Sequence, residues 1–491
     1  MCFSLNFKEL GRQALCHELT WITCAAIRSI VITKTEGGWS HLLSRLIRLM
    51  LMGPLSMKVV GIPLILHSQI FVLYADLFSI LSDLDGIKIA LDWKGTSSVR
   101  PCLWCTNVWK KDSRCRDGHV DICCGDRNRF ELMDSVTLSG FVDVVLAARV
   151  EWEAGTRTKT SFEELQQGLG INCNPTGLLA DRDLREQLSI MDVLRTDWVH
   201  NMLQDGLLTH ECTGFLFAAK RKAGIGFDVW RDMLRSDWNF PKHRKVKSSQ
   251  LHAIFDAFHC QKEDGEKFKC GASELFSLYT LLRHAAETHL KDHPLLQAEI
   301  SSFKAGCAVM DAVVLASRAD SAADYEFLGS AVDTALEKHL ALHKAAYGSK
   351  FIKPKTHIMR HVKRQIVVDQ GAYGMFVVER LNLRLKAVTE PVDNTDRLEF
   401  TILSSLLTKH ALQLQSATSL QSGLRGMQQP LPGYEGVQVA KGLELDGRCF
   451  HIGDCVFDHE SNVAGIVTAC AAEGTAHYII VRCLRGVGAP L

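Results

Sequence analysis

Two acidic side chains are the first candidates for chemistry. Asp76 closes the apolar run SQIFVLYAD, and Glu379 lies near the start of FVVERLNLRLK, about 300 residues further on. Carboxylates drawn from distant parts of a chain can hold two Mg²⁺ ions about 4 Å apart, one activating an attacking oxygen and one stabilising the leaving oxygen. A short aspartate at a strand end and a longer glutamate on a facing helix suit that geometry. Spacing alone is weak support: Asp76 can equally cap a helix, and Glu379 can pair with Arg380 or Arg384 on a solvated face. No aspartate precedes Asp76, where the only acids are Glu9, Glu18 and Glu36.

A second set of residues has the chemistry of metal ligands. Cys102 and Cys105 in PCLWC form a tight knuckle with zinc-ligand spacing. His119 and Cys124 are expected to complete the site, with Cys115 and Cys123 as further candidates. A structural zinc would help a cysteine-rich insert with little apolar content to fold; reduced thiols packed in a loop are the simpler alternative. His357 and His361 stand one helical turn apart but have no third ligand beside them in sequence. They fall in a stretch with Lys353, Lys355, Arg360, Lys363 and Arg364 that holds no acid between residues 350 and 364. That stretch, extended by Arg380, suits phosphate contacts to duplex DNA, which position a backbone without reading sequence. The basic run PKHRKVK, from Pro241 to Lys247, reads as a solvated face. Asp197 and His200, one turn apart, can form an acid-oriented imidazole, although a helix-capping pair is simpler.

Elements must carry these residues. IRSIVITKT reads as a strand, and Trp39, Leu42, Leu43, Leu46, Ile47 and Met50 recur at helical spacing. VVGIPLILHSQIFVLYA is apolar but interrupted by Pro63, His67, Ser68 and Gln69. Two buried strands explain it better than a bilayer span, which needs roughly 20 apolar residues. SFEELQQGLG has a serine N-cap signature and a terminal glycine. ASELFSLYTLLRHAAETHL and ADYEFLGSAVDTALEKHLALHKAAYG are amphipathic at period 3.6. The predicted organisation is therefore an α/β core over residues 1–100, a knuckle insert over 101–130 and a helical insertion over 131–346. A basic segment with helices (347–416) completes the core, followed by a linker (417–433) and a small β domain (434–491).

The bulk numbers exclude several classes. The chain has 491 residues, 47% hydrophobic and 23% charged, as in a folded globular protein, and a formal net charge of +1. Binding to nucleic acid must then come from local patches rather than global attraction. The 17 cysteines are scattered, without the density of a secreted scaffold, so a nuclear or cytoplasmic setting with reduced thiols is expected, without a membrane. Gly-x-Ser-x-Gly, the phosphate-binding Gly-x-x-x-x-Gly-Lys and the dinucleotide Gly-x-Gly-x-x-Gly are all absent.

Four blocks, in order, carry a resemblance. ADLFSILSDLDGIKIALDWKGTSSVRPCLWCTNV, TDWVHNMLQDGLL, KPKTHIMRHV and FVVERLNLRLK resemble segments of eukaryotic cut-and-paste DNA transposases of the CACTA and Kyakuja-Dileera-Zisupton groups. They span about residues 70–390. The resemblance implies a ribonuclease-H-like core with a helical insertion, acting on DNA, possible homodimer formation, and Asp197, His200 and Asn201 on the Asp-x-x-His-Asn block. By that match Asp76 is the second catalytic acid and Glu379 the third. The family's first aspartate has no counterpart upstream of Asp76, which predicts a transposase-derived, DNA-associated protein that has lost strand transfer. A non-enzymatic zinc-containing module for protein or chromatin contacts is the alternative.

Overall fold

The structure is a computed structural model and describes residues 2–10, 15, 18–54, 56–66, 69–110, 118–237, 251–255, 261–262, 265–319, 324–349, 351–389, 397–416, 423–425, 427–431, 434, 436–445, 448–452, 454–458, 463–473 and 476–483. The basic run Pro241–Lys247 and Cys115 lie outside these residues. The fold mixes α and β, with long helices and small sheets. It divides into a larger unit, from Ser29 to Phe376, and a smaller one formed by the residues before Ser29 with those from Val377 onward.

In chain order, β1 (Cys2–Leu5) pairs antiparallel with β2 (Ile22–Ala26) in the smaller unit. The larger unit opens with α1 (Ser29–Lys34) and α2 (Gly38–Leu51). The run expected to be a strand, Ile27–Thr35, is thus mainly helix. Its β-branched residues have no paired strand among the described residues, and the Thr35 N–H bonds back to the carbonyls of Val31 and Ile32. Tertiary placement overrides strand propensity here.

The next apolar run does form two strands, β3 (Ile62–Leu66) and β4 (Gln69–Leu73), in an antiparallel hairpin registered Ile62 to Leu73. It is not buried as expected: Ile70, Phe71 and Val72 are 73, 48 and 47% exposed. Beyond it, β5 (Ile80–Ser82) feeds α3 (Leu84–Ala90).

The helical block runs through α4 (Ser135–Glu153) and α5 (Lys159–Leu169) to β6 (Leu194–Thr196), α6 (Trp198–Met202) and α7 (Leu207–Ala223). It continues with α8 (Ala272–His289), α9 (Gln297–Arg318) and α10 (Asp324–Tyr347). Then come α11 (Pro354–Ile358) and α12 (Val362–Asp369). The N-cap of α5 is Thr158, which accepts from the Ser161 N–H, rather than Ser161 itself; Gly170 ends the helix at φ 73°, a left-handed conformation that suits glycine. A single core joins α6 to α12, with Phe215 stacked on Phe303 at 4.5 Å and edge-on to Trp230. Among the described residues, α9 is the one helix long and apolar enough to cross a membrane. However, 61% of that apolar window is buried, and α9 packs against α7 and α10.

One polar connection fixes where the strands meet this block. β5 and β6 lie parallel, registered Ile80 to Leu194 and Ser82 to Thr196. Arg195 on β6 makes a buried fork to Asp369 at the end of α12, with Nη2 2.6 Å from Oδ1. The Gln365 carboxamide pairs with the N–H and C=O of Thr196 at 2.7 and 3.1 Å. Because a lone buried charge costs far more than a paired one, Asp369→Ala should lower unfolding free energy by about 3–5 kcal/mol. Urea unfolding followed by circular dichroism checks this, and a loss under 1 kcal/mol would show that Arg195 finds another partner.

In the smaller unit, α13 (Phe376–Thr389) and α14 (Leu398–Ser416) follow the predicted helices. Ala26 of β2 packs on Leu398 and Ile402, and Arg28 pairs with Glu399 at 2.6 Å. Towards the C-terminus Val463–Glu473 is central to one sheet, and Leu443, Val467 and Cys470 form a core. Strands Gly423–Arg425 and Gln429–Pro430 join these sheets, so part of the segment expected to be a linker belongs to the domain.

Candidate metal centre

The knuckle is built on backbone clamps. Arg100 and Pro101 lead into Cys102, and the strand-like bridge from Cys105 to Leu132 holds the loop flat against residues 131–133. The Thr106 N–H donates to the Glu131 carbonyl and the Met133 N–H to the Trp104 carbonyl, each at 2.9 Å. The other half comes from α11 and the 3₁₀ turn that follows it, Met359–His361. Pro354 sits in the first turn of α11, where a missing N–H costs nothing. The four-residue spacing then puts His357 and His361 on one face.

These halves meet. Cys102 Sγ lies 3.3 Å from His361 Nε2, and Cys105 Sγ lies 3.5 Å from Nε2 of both His357 and His361. One atom from each of the four side chains falls within 4.8 Å of every other. All four residues are buried, with Phe130 over His357 at 4.7 Å and Trp104 stacked on His361 at 5.8 Å. A tetrahedral ion about 2.3 Å from sulfur and about 2.0 Å from nitrogen sets those atoms about 3.5 Å apart. The observed spacing is that of a ligand set. Burial raises the Cys102 thiol, but the Cys105 hydrogen bond and the two imidazoles outweigh it and bring Cys102 well below the usual thiol range. Cys105 goes the other way, raised by its bond to Cys102 and by burial. With four protein donors the group can hold a metal with no position left open for substrate.

The expected ligands His119 and Cys124 are not part of the group. The His119 ring stacks on Trp109 at 4.2 Å, and the Cys124 thiol points to the Asp126 carbonyl at 3.6 Å. Sequence reasoning found half the set and assigned His357 to DNA, although the four-residue histidine spacing was itself the missing signal.

A second buried cluster resembles a metal site and differs in one measurable way. Glu211 on α7 faces His339 and His343 on α10. His339 Nε2–H and His343 Nδ1–H donate to Glu211 Oε2 at 2.8 and 2.6 Å, and the Tyr347 hydroxyl donates to Oε1 at 3.4 Å. Around an ion, such oxygens and nitrogens stand about 3.4 Å apart. The observed contacts are hydrogen bonds, and we read the cluster as a caged carboxylate. Burial raises the Glu211 pKa, but the bonds from His339 and His343 outweigh it and hold it at about 2.

The acids assigned to catalysis are placed otherwise. Asp76 is exposed, lies outside any strand and pairs with Lys58 at 2.6 Å. Asp83 and Asp197 instead follow the paired ends of β5 and β6, and both serve as helix caps. Asp83 accepts from the Gly86 N–H at 2.6 Å. Asp197 accepts the N–H groups of Val199, His200 and Met375 at 2.9, 3.1 and 3.0 Å and the His200 ring N–H. Asn201 donates to Thr196 Oγ1 at 2.6 Å. Glu379 lies on α13 in the smaller unit. Among the described residues, no cluster of three or more ligand atoms includes Asp76 or Glu379.

Most of the basic stretch is already engaged. Lys355 Nζ donates to the Gln204 carbonyl, and Arg360 donates to the Cys124 carbonyl at 3.1 Å while lying over Phe130. Lys363 faces Asp333 at 3.9 Å, Arg364 pairs with Asp192 at 2.7 Å and Arg380 with Glu18 at 2.5 Å. Lys353 is exposed.

No protein-family model, curated protein or solved structure matches this chain.

The Glu211 cage sets a pH signature. A carboxylate held near 2 when folded contributes stability that is complete above its unfolded value near 4.5 and fades as pH falls toward 2. Between pH 5 and pH 3 this group should account for roughly 2 kcal/mol of lost stability. Glu211→Gln should remove that part of the acid slope in urea titrations, and an unchanged slope would place the acid sensitivity elsewhere.

Proposed function

We propose that this chain is a transposase-derived, DNA-associated protein whose two-cysteine, two-histidine centre is a structural zinc site and which does not carry out strand transfer. One observation carries the reading. The Pro-Cys-x-x-Cys and Lys-Pro-Lys-x-His blocks, two of the four on which the family resemblance rests, lie about 250 residues apart and supply the two halves of one buried ligand group. Convergence of that kind is unexpected of accidental motif matches. Zinc suits the donor set, because sulfur and imidazole in a closed tetrahedron favour it over magnesium or calcium, which take oxygen.

A ribonuclease-H-like core is supported by the parallel β5–β6 pair, each strand running into a helix through an aspartate. Loss of chemistry is supported by what those acids do. The Asp197 carboxylate already takes four donors, and Asp76 is tied to Lys58, which leaves little capacity for a cation. Association with duplex DNA would rest on phosphate contacts through surface cations such as Lys353, in a nuclear or cytoplasmic setting.

Purified protein should contain about one zinc per chain, and Cys105→Ser or His361→Ala should lose it, as read by elemental analysis. Stripping the metal should lower stability by several kcal/mol. Zinc-free protein with unchanged stability would remove the metal reading. For the partner, fluorescence anisotropy should show duplex binding that weakens steeply from 50 to 200 mM salt. Absent or salt-insensitive binding, with zinc in place, would favour a non-enzymatic protein-contact module.

A further inference from the structure

We propose that Arg100 is a positioning residue of the metal centre: its buried guanidinium holds the knuckle backbone so that both thiols face the histidines before an ion arrives. This rests on the zinc reading above and goes beyond it by assigning the group that organises the site.

Arg100 is only 3% exposed, which is unusual for a charged side chain. Nη2 donates to the carbonyls of Cys105 and Thr106 at 3.0 and 2.8 Å, and Nη1 donates to the Leu169 carbonyl at 3.3 Å. The first two contacts fix the peptide planes on either side of Thr106, and the first of these planes begins at the Cys105 Cα, which bears on the direction of the Cys105 side chain. The third reaches the last residue of α5, where helix carbonyls lack internal partners and the end of the helix dipole favours a cation. The fork therefore ties the knuckle to a rigid helix. Phe141 lies 4.9 Å from the guanidinium carbon, and the Ser98 hydroxyl donates to the Arg100 carbonyl at 2.6 Å, which fixes both ends of the residue. Gly170 leaves the space: a Cβ there would come within 3.2 Å of the Arg100 Cβ.

The burial makes sense chemically. Every hydrogen-bond acceptor found for Arg100 among the described residues is a neutral carbonyl, and the groups of opposite charge that would act on it are Cys102 and Cys105 once deprotonated. A buried cation without a carboxylate is costly: burial pulls the Arg100 pKa below its ordinary value, and the two cysteines of the ligand set lessen that penalty without cancelling it. Lysine cannot replace it, since a point charge cannot reach carbonyls on two sides as a planar fork does.

The test is a cobalt and zinc titration of metal-stripped, full-length wild type, Arg100→Met and Arg100→Lys, with Arg182→Met as an exposed arginine control. Both Arg100 variants should bind about 10- to 100-fold more weakly, as loss of a supporting contact typically does. The cobalt-loaded spectrum should keep its two-thiolate charge-transfer intensity, since the ligands are the same. The control should bind like wild type. Wild-type affinity in either Arg100 variant would overturn the proposal while leaving the metal centre intact. If wild type takes up neither ion, the metal reading itself fails and this inference with it. Should Arg100→Met not fold, Arg100→Lys decides. Equal affinity with only a lower unfolding midpoint would mark Arg100 as general packing and also overturn the proposal.

Discussion

The arrangement depends on a long-range constraint: two thiols near residue 100 must meet two imidazoles near residue 360 in a space closed to water. Neither half is stable as placed without the other. A buried pair of thiols and a buried imidazole whose Nδ1 has no partner among the described residues are each unfavourable alone. Brought together around a cation, their lone pairs find a common acceptor. The surrounding architecture then reads as support for that meeting. α11 and the 3₁₀ turn after it present the histidines, the Arg195–Asp369 fork and Gln365 hold α12 to the parallel strands, and Arg100 pins the knuckle to α5.

The two polar centres of the larger unit show how similar residues settle into different physics. In one, sulfur and nitrogen stand 3.3–3.5 Å apart, a separation that also fits ligands of one ion; in the other, oxygen and nitrogen close to 2.6–2.8 Å, the length of a direct hydrogen bond. The first gap accommodates an ion. The second is filled by hydrogen, and it locks α7 to α10 in the bundle core. Residue type alone does not separate these cases; spacing does.

Much of the helical content was legible, because amphipathic runs such as those giving α8, α10, α13 and α14 follow the 3.6 period over many turns. The short β-branched run near residue 30 was not, since its state is set by what it packs against rather than by its own preference. Cys102 and Cys105 were legible from spacing. The partners were not, because proximity in sequence favoured His119 and Cys124, whereas the fold supplied His357 and His361 from across the chain. Asp83 escaped notice for the same reason, and Asp197 was legible only within its own block: the link between the two comes from the pairing of β5 with β6. The charges of the basic stretch look unopposed in sequence yet meet Asp192, Asp333 and Glu18 in space.

Pinning the chain at the knuckle and at α11 turns everything between into a closed loop. Closure entropy grows only with the logarithm of length, so doubling such a loop costs about 0.6 kcal/mol. The helical block is therefore cheap to enlarge, trim or exchange, provided its ends still deliver the four ligands. Evolutionary change in size should concentrate inside that ring, while the clasp stays still.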